Sequence, residues 1–402
     1  MLDLWLKVAV AVSIVLFMLC RRSGRGVLGY LAAFLVLIGL GPVINHLVGQ
    51  PIYVGVVDAY IPAAVNGYLL AVVGLLLADV SFRAPEVPAT DGEAREERWA
   101  DRYGLPVGIL LGLAAAYAAA IVVTRAGALL QADKLTAIGL AGPFHYPYLL
   151  LQICLAATYL LVRSRPALHR LFWANMAVYA VYCLLTDERD FLLVFVGIAI
   201  QSQNRRVQAR VLKSVLIGAA AAAAGAALFT LRGGAAGSSP LTTILGQGSL
   251  LFVDTRVLSF VPIYQPYAHG ATYLDSAASA LTLGAWAPGK GLSQWLVDTY
   301  APDSDSGYGF SMIGELVYNF GQWAILPTFF VLGWIINAAV SRSHRSAFAA
   351  YLSTFSVVFV PYMLRSDSRG LFSGLVYALL LFGVLTVVTL KRSGTHEAAR
   401  RG

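Results

Sequence analysis

The sequence predicts an all-α integral membrane protein that crosses the membrane many times. Apolar residues make up 58% of the 402 residues and charged residues only 12%, whereas soluble proteins carry about 25% charged residues. A transmembrane helix needs about 20 mostly apolar residues, and runs of this kind recur along the chain. This composition excludes a soluble globular domain, a disulfide-rich secreted fold and a disordered chain.

Eleven apolar segments are candidates for transmembrane helices. They lie at 4–20, 27–48, 60–82, 105–124, 146–163, 170–186, 190–203, 212–231, 312–340, 347–364 and 371–390. The shortest, 190–203, follows a charged sequence that is costly at membrane depth unless it faces protein or water. We therefore predict one transmembrane domain over 1–402 with about eleven helices, a cytoplasmic loop at 83–104 and a large external loop at 232–311.

The distribution of basic residues predicts the orientation of the chain. Of the 29 Lys and Arg residues, 20 lie in one set of loops and eight in the opposite set. Because cytoplasmic loops are enriched in Lys and Arg, the first set is predicted to be cytoplasmic. The N-terminus is then outside and the C-terminus in the cytoplasm, which agrees with an odd number of spans. Asp3 before the first apolar run and arginines after it also argue against a cleaved signal peptide.

Several function classes are excluded by what the sequence lacks. The three cysteines fit neither a disulfide framework nor a zinc site. The sequence contains no P-loop, GxSxG, HExxH or CxxC motif. The formal charge of +8 is explained by loop topology and does not indicate nucleic-acid binding. We therefore expect no metal, no nucleotide and no nucleic-acid partner.

Arginines on the side predicted to be external need a reason other than topology. Five of them are candidates for a binding site: Arg189, Arg232, Arg256, Arg365 and Arg369. Arg365 and Arg369 are four residues apart and can face the same ligand if their turn is helical. Guanidinium groups bind phosphate in a bidentate manner, so the set is suited to phosphate or diphosphate at the membrane boundary. The alternative is that each arginine pairs with a nearby carboxylate or with lipid headgroups.

A glutamate within an apolar segment is the second candidate feature. In the run 308–321, which begins at Tyr308, a helical spacing aligns Ser311, Glu315, Asn319 and Gln322. A carboxylate inside an apolar span is costly and indicates function by default. A raised pKa in that setting would suit a proton acceptor. The alternative is that Glu315 pairs with an arginine and only stabilises the fold.

The segment 264–275 in the predicted external loop is the third feature. It carries His269 among Tyr264, Tyr267 and Tyr273. Histidine can take a proton from an attacking hydroxyl, and tyrosines can stack on sugar rings or anchor a loop at lipid headgroups. The alternative is that a single loop histidine has no chemical role.

The order of these features resembles a known family. Many spans come first, followed by a turn with the sequence TDERD, which contains Arg189. A large loop containing the sequence HGATYL comes next, then the run Gly307–Gly321 and finally the turn Arg369-Gly370. This order is similar to that of the Wzy-type oligosaccharide repeat unit polymerases, also called O-antigen polymerases. The densest similarity is the run from Gly307 to Gly321, and the resemblance in order covers about the C-terminal half of the chain.

The resemblance implies a glycosyltransferase of the bacterial inner membrane that acts on the outer face. Such an enzyme transfers a growing glycan from undecaprenyl diphosphate to the non-reducing end of a lipid-linked repeat unit. The glycosyl-diphosphate bond supplies the energy, so no cofactor, metal or nucleotide sugar is implied. The implied partners are the undecaprenyl-diphosphate-linked oligosaccharide, membrane lipid and a chain-length regulator.

Three groups of site residues follow from this resemblance and from the residues themselves. The predicted catalytic residues are Glu315, His269 and Arg369. The predicted diphosphate-binding residues are Arg189, Arg232, Arg256, Arg365 and Arg369. The predicted glycan-binding residues are Tyr264, Tyr267, Tyr273, Tyr308 and Asn319.

Three other functions remain open at this point. An O-antigen ligase-like enzyme would use the same donor with a different acceptor, although the Tyr-Asn-Phe-Gly ending of the glutamate run favours the polymerase. A transporter of lipid-linked sugars should show repeated halves or broken midplane helices, and the sequence indicates neither. A structural membrane protein would leave Glu315 and the arginines of the predicted outer side unexplained.

Overall fold

All regular elements in the described part of the chain are helical. The computed structural model describes residues 2–20, 27–48, 55–82, 92–132, 134–186, 188, 190–203, 250–286, 291–300 and 309–401. The α-helices in these ranges are α1 (Leu2–Cys20), α2 (Val27–Leu35), α3 (Gly41–Leu47), α4 (Ile61–Ser81), α5 (Gly92–Gln131), α6 (Lys134–Ala141), α7 (His145–Ala156), α8 (Tyr159–Val162), α9 (Pro166–Leu185), α10 (Asp190–Gln203), α11 (Leu250–Phe260), α12 (Ala271–Leu281), α13 (Leu292–Tyr300), α14 (Met312–Phe320), α15 (Ile325–Arg342), α16 (Ala347–Met363) and α17 (Ser368–Arg401). A π-helical turn at Val36–Leu40 joins α2 to α3.

Six helical stretches of the described residues are long and apolar enough to cross a membrane. They are Leu2–Cys20, Val27–Leu47, Asp58–Ser81, Ala94–Gln131, Gln322–Arg342 and Ser368–Leu390. Each falls on one of the segments predicted from hydropathy. The prediction of an all-α, multi-pass membrane protein is therefore confirmed.

The predicted number of about eleven spans is not confirmed. Two further apolar helices, Phe191–Ser202 and Ala347–Met363, are shorter than the six. The predicted segment 146–163 is divided between α7 and α8, because a turn separates Ala156 from Tyr159. The segment 170–186 forms most of α9 but is not among the six, and 212–231 lies outside the described residues.

The segment predicted as a loop at 83–104 is partly helical. Helix α5 begins at Gly92 and continues through the apolar residues to Gln131. Its polar first part is stabilised by the buried Glu96, which accepts two hydrogen bonds of 2.8 Å from the guanidinium of Arg163. Such bidentate pairing satisfies the charge of a buried carboxylate, so the charged sequence continues the helix. Residues 83–91 lie outside the described part.

The predicted span 312–340 is interrupted at Gly321. This residue has a φ of 84°, a left-handed value that favours glycine, and it ends α14. A 3₁₀ turn at Gln322–Ala324 then leads into α15. The predicted stripe of four polar residues is therefore wrong at both ends, because Ser311 is the N-cap of α14 and Gln322 lies beyond the break.

The predicted large loop at 232–311 contains helices α11, α12 and α13 in its described part. Residues 232–249, 287–290 and 301–308 lie outside the described residues. Aromatic side chains in this region pack on one another. The ring centroid of Trp295 is 5.6 Å from that of Phe260 and 5.1 Å from that of Tyr318. Such aromatic contacts stabilise the packing of helices α11, α13 and α14.

The chain divides into two compact units. The first comprises 1–83, 202–337 and 360–373, and the second comprises 84–201, 338–359 and 374–402. In the first unit, Gly74 packs on the backbone of α15, and a methyl group at this glycine would lie 2.7 Å from the carbonyl oxygen of Leu326. In the second unit, α5 packs along α9. Of the predicted site residues, Arg256, His269, Glu315, Arg365 and Arg369 belong to the first unit.

Candidate functional site

The centre of the candidate site is the carboxylate of Glu315 on α14. Its side chain is buried, with 1% of the residue exposed. Its Oε1 atom accepts hydrogen bonds from Thr272 Oγ1 at 2.7 Å and from Ser368 Oγ at 2.6 Å. Its Oε2 atom accepts the backbone N–H of Ser368 at 2.5 Å. An ionised carboxylate has about four acceptor positions, so the protein itself occupies three of them.

The position of Ser368 explains why the carboxylate lies where it does. Ser368 is the first residue of α17, where backbone N–H groups have no partner within the helix. The negative charge of Glu315 is also favoured at this helix end by the helix dipole. The hydroxyl of Ser276 on α12 lies 2.9 Å from that of Ser368. Glu315 therefore joins the start of α17 to α12 and α14.

Burial raises the pKa of the Glu315 carboxyl above its ordinary value. Hydrogen bonds from Ser368 and Thr272 oppose this effect, and the nearby charge of Asp367 adds to it. Helix α14 lies outside the six candidate spans.

Asn319 extends this network to the segment that carries His269. Its side-chain N–H₂ group donates to Thr272 Oγ1 at 2.7 Å and to the carbonyl of Glu315 at 2.9 Å, and its Oδ1 accepts the N–H of Gly270 at 2.9 Å. The backbone N–H of His269 donates to the carbonyl of Asn319 at 3.0 Å. His269 and Gly270 have φ values of 48° and 91°. Asn319 therefore holds the turn that starts α12.

The turn between α16 and α17 brings the predicted Arg365 and Arg369 to the same region. Arg369 follows Ser368 directly in the first turn of α17. A methyl group at Gly291 would lie 3.4 Å from Asp367 Oδ2 and 3.5 Å from Arg369 Nη1. The turn thus contacts the residue before α13. Glu315 is thus hydrogen-bonded to Ser368, the residue that precedes Arg369.

Asp254 on α11 is a second buried carboxylate, and it was not predicted as a site residue. Its Oδ2 accepts a short hydrogen bond from the hydroxyl of Tyr68 on α4. Its other oxygen packs on Gly314, where a methyl group would lie 2.9 Å from it. Burial raises the pKa of Asp254 to about 6, while hydrogen bonding to Tyr68, Ser311 and Gly314 opposes the shift. The sequence feature that could have identified Asp254 is its position within the apolar start of α11.

Arg256 on α11 packs against two aromatic rings. Its guanidinium carbon is 5.0 Å from the ring centroid of Tyr300 and 5.6 Å from that of Phe252. Within the described residues no ion pair is formed by Arg256. The sequence alternative, pairing with Asp254, is therefore not observed, since that carboxylate bonds to Tyr68.

The predicted tyrosines occupy different environments. Tyr264 is 76% exposed. The ring of Tyr273 is stacked on Phe320 with centroids 6.1 Å apart, so one of its faces is covered. The hydroxyl of Tyr267 lies against Gly321, and its ring is 6.4 Å from that of the exposed His269. Three predicted site residues lie outside the described part of the chain: Arg189, Arg232 and Tyr308.

A cavity of about 450 Å³ opens beside this network. Its lining includes Thr272, which bonds to Glu315, and four residues that sequence reasoning missed: Asp275, Trp295, Asp298 and Tyr318. These side chains come from α12, α13 and α14. No sequence pattern links them, because only the packing of three helices brings them together.

Within the described ranges of the chain, no group of three or more His, Cys, Asp and Glu side chains is arranged to hold a metal ion.

Comparison with known proteins shows a similarity to a protein family. No curated protein and no solved structure matches the chain. Residues 274–397 match the family model described as O-antigen polysaccharide polymerase Wzy. The match includes Glu315, Arg365 and Arg369 and most of the cavity lining, whereas Arg256 and His269 precede it. The resemblance predicted from the sequence is therefore confirmed over residues 274–397, where this membrane protein is similar to the Wzy family of O-antigen polysaccharide polymerases.

Proposed function

We propose that this protein is a glycan polymerase of the bacterial inner membrane. It transfers a growing glycan from undecaprenyl diphosphate to the non-reducing end of a lipid-linked repeat unit, without metal or nucleotide. The reaction takes place on the outer face, with the N-terminus outside and the C-terminus in the cytoplasm. A chain-length regulator is a further proposed partner. The observation that carries the proposal is that Glu315 is hydrogen-bonded to Ser368 in the turn that carries Arg365 and Arg369, and that all four residues lie inside the family match.

The arginines supply positive charge for the leaving diphosphate. When the glycosyl bond breaks, negative charge develops on the diphosphate, and fixed cations stabilise it most when they are held in place beforehand. Arg365 and Arg369 flank the start of α17. Arg256 adds a guanidinium that forms no ion pair with any described carboxylate. Arg189 and Arg232 stay in the proposal on sequence grounds.

The surroundings of Glu315 favour a role in orienting Arg369 over the role of proton acceptor. A proton acceptor must reach the attacking hydroxyl, yet this carboxylate is buried and accepts three hydrogen bonds from the protein. Its bonds to Ser368 fix the backbone next to Arg369. The exposed His269 is then the proposed proton acceptor, on a turn that Asn319 holds. Tyr264, Tyr267, Tyr273 and Tyr308 are proposed to contact the glycan.

The proposal is tested with purified protein and a synthetic undecaprenyl-diphosphate repeat unit, without ATP. A ladder of regularly spaced products on a gel is expected. Arg369→Ala should abolish the ladder. Arg369→Lys should restore it only in part, because lysine keeps the charge but lacks the planar fork. Both variants must elute as monodisperse protein.

Other outcomes would contradict the polymerase. Transfer of the glycan to an acceptor that is not lipid-diphosphate-linked, without a ladder, would identify a ligase. Movement of the lipid-linked unit across a vesicle membrane without any transfer would identify a transporter.

A further inference from the structure

The cavity beside Glu315 has the chemical character of a sugar-binding site. Trp295 and Tyr318 contribute aromatic rings to its wall, and Asp275 and Asp298 contribute carboxylates. A pyranose ring has apolar C–H faces and a rim of hydroxyl groups. Aromatic rings pack on such apolar faces, and ionised carboxylates accept hydrogen bonds from hydroxyls. The volume of about 450 Å³ lies within the range of small-molecule sites, roughly 300–1,000 Å³.

The charge of the lining restricts which sugar would fit. The described residues that line the cavity include two carboxylates and no basic side chain. The exposed Asp298 also accepts a hydrogen bond of 2.7 Å from the amide of Gln294. A ligand with its own carboxylate would place like charges close together in a concave site, which disfavours binding. The lining therefore selects a neutral or amino sugar over a uronic acid.

The cavity is also connected to the proposed reaction site. Thr272 forms part of its wall and donates a hydrogen bond to Glu315 Oε1. Leu292 forms another part and directly follows Gly291, which Arg369 approaches. A sugar in the cavity would thus lie beside the turn that carries Arg365 and Arg369.

We propose that this cavity binds a neutral or amino sugar ring of the acceptor glycan, with Trp295 on its apolar face and Asp275 and Asp298 bonded to its hydroxyls. The assignment of this sugar to the acceptor depends on the polymerase function proposed above. The binding of a sugar and its charge selectivity follow from the lining itself.

Saturation-transfer difference NMR on the full-length protein in nanodiscs tests the inference. The probes are the methyl glycosides of glucose, galactose and mannose and the matching glycosides of glucuronic and galacturonic acid, at millimolar concentration. At least one neutral glycoside is expected to receive magnetisation, and its uronate counterpart should receive roughly fivefold less because of the two carboxylates. Equal transfer to both, or none to any neutral probe, would overturn the proposal.

Substitutions separate a direct role of the lining from a general effect on folding. Trp295→Ala should abolish transfer, whereas Trp286→Ala, at a tryptophan that is 59% exposed and outside the cavity lining, should keep the wild-type signal. The double variant Asp275→Asn with Asp298→Asn should remove the preference for neutral probes, whereas Asp58→Asn, which removes a carboxylate at an exposed site outside the cavity lining, should keep it. If Trp295→Ala behaves like Trp286→Ala, or the preference survives the double substitution, the cavity is not a sugar site.

The NMR experiment and the polymerisation assay test different claims, so their outcomes can be distinguished. Wild-type protein that forms a ladder but shows no selective sugar binding would contradict only the cavity assignment. Selective binding without a ladder would support the sugar site and contradict the polymerase function.

Discussion

The backbone N–H of Ser368 donates to the carboxylate of Glu315 at 2.5 Å, across 53 positions of the chain. The Ser368 hydroxyl donates to the same carboxylate at 2.6 Å. Hydrogen bonds to a charged group contribute about 1.5–3 kcal/mol each, and removal of a buried partner leaves the remaining groups unsatisfied. This contact therefore fixes the start of α17 relative to α14.

Removal of the Glu315 carboxylate should lower stability more than removal of any one of its donors. We expect Glu315→Ala to destabilise by about 3 kcal/mol, because three donors lose their acceptor, and Ser368→Ala or Thr272→Val by about 1 kcal/mol each. The measurement is the apparent unfolding temperature in nanodiscs at a fixed scan rate. A Glu315→Ala variant as stable as Thr272→Val would show that the network contributes little to stability.

The buried Asp254 should make stability depend on pH. Burial raises its folded-state pKa to about 6 from 3.8, so the folded protein holds this proton more tightly than the unfolded chain does. Its contribution is therefore most favourable below about pH 4 and is lost as the pH rises through about 6, by roughly 3 kcal/mol in total.

Comparison with Asp254→Asn isolates this effect from other titrating groups. The amide keeps an oxygen for Tyr68 but does not ionise. The difference in unfolding temperature, wild type minus variant, should fall between about pH 4 and pH 7. A difference that stays constant or rises over this range would contradict the assignment.

The backbone break at Gly321 should not tolerate a side chain. Gly321→Ala places a methyl group at a φ of 84° and 3.1 Å from the hydroxyl of Tyr267, so we expect a loss of about 1–2 kcal/mol. Gly112→Ala is the matched control, because this helical glycine of α5 has nothing within 4 Å of the added methyl. It should be neutral or stabilising by about 0.5–1 kcal/mol. The same unfolding assay ranks the two variants, and equal effects would refute the strain argument.

Asn319 should control the order of the His269 turn. Asn319→Ala removes the acceptor for the Gly270 N–H, so amide exchange over 268–273 should accelerate. Asn319→Asp keeps an acceptor oxygen but cannot donate to Thr272, and its exchange should stay closer to that of the wild type. Hydrogen–deuterium exchange with mass spectrometry measures both. Equal protection in the wild type and in Asn319→Ala would show that other contacts hold the turn.

Hydropathy was sufficient to predict the class of fold and six of the spans, because burial in lipid imposes long apolar helices. It was not sufficient at Gly321, since averaging over an apolar run does not detect a single residue with positive φ. It also missed the helical start of α5, where the partner of Glu96 is Arg163, far along the chain.

The candidate site was predicted in part for a similar reason. Glu315 and Arg369 could be proposed as site residues from the sequence, because a charged residue in an apolar segment costs free energy and therefore indicates a function. Trp295 and Asp275 lie in amphipathic helices, where an aromatic ring or a carboxylate is common and does not indicate a site. Their proximity arises only when α12, α13 and α14 pack together.

Two candidate spans begin next to the Glu315 network, one at Gln322 just after α14 and the other at Ser368 itself. Groups attached to the first residues of such helices keep a constant height relative to the lipid, whatever the loops around them do. In the proposed reaction, each cycle transfers the glycan from its undecaprenyl diphosphate to the next lipid-linked repeat unit and releases the first carrier. A site at the ends of two spanning helices would lie at the same depth as the reacting bond in every cycle. The length of the product would then not alter the geometry of the next transfer.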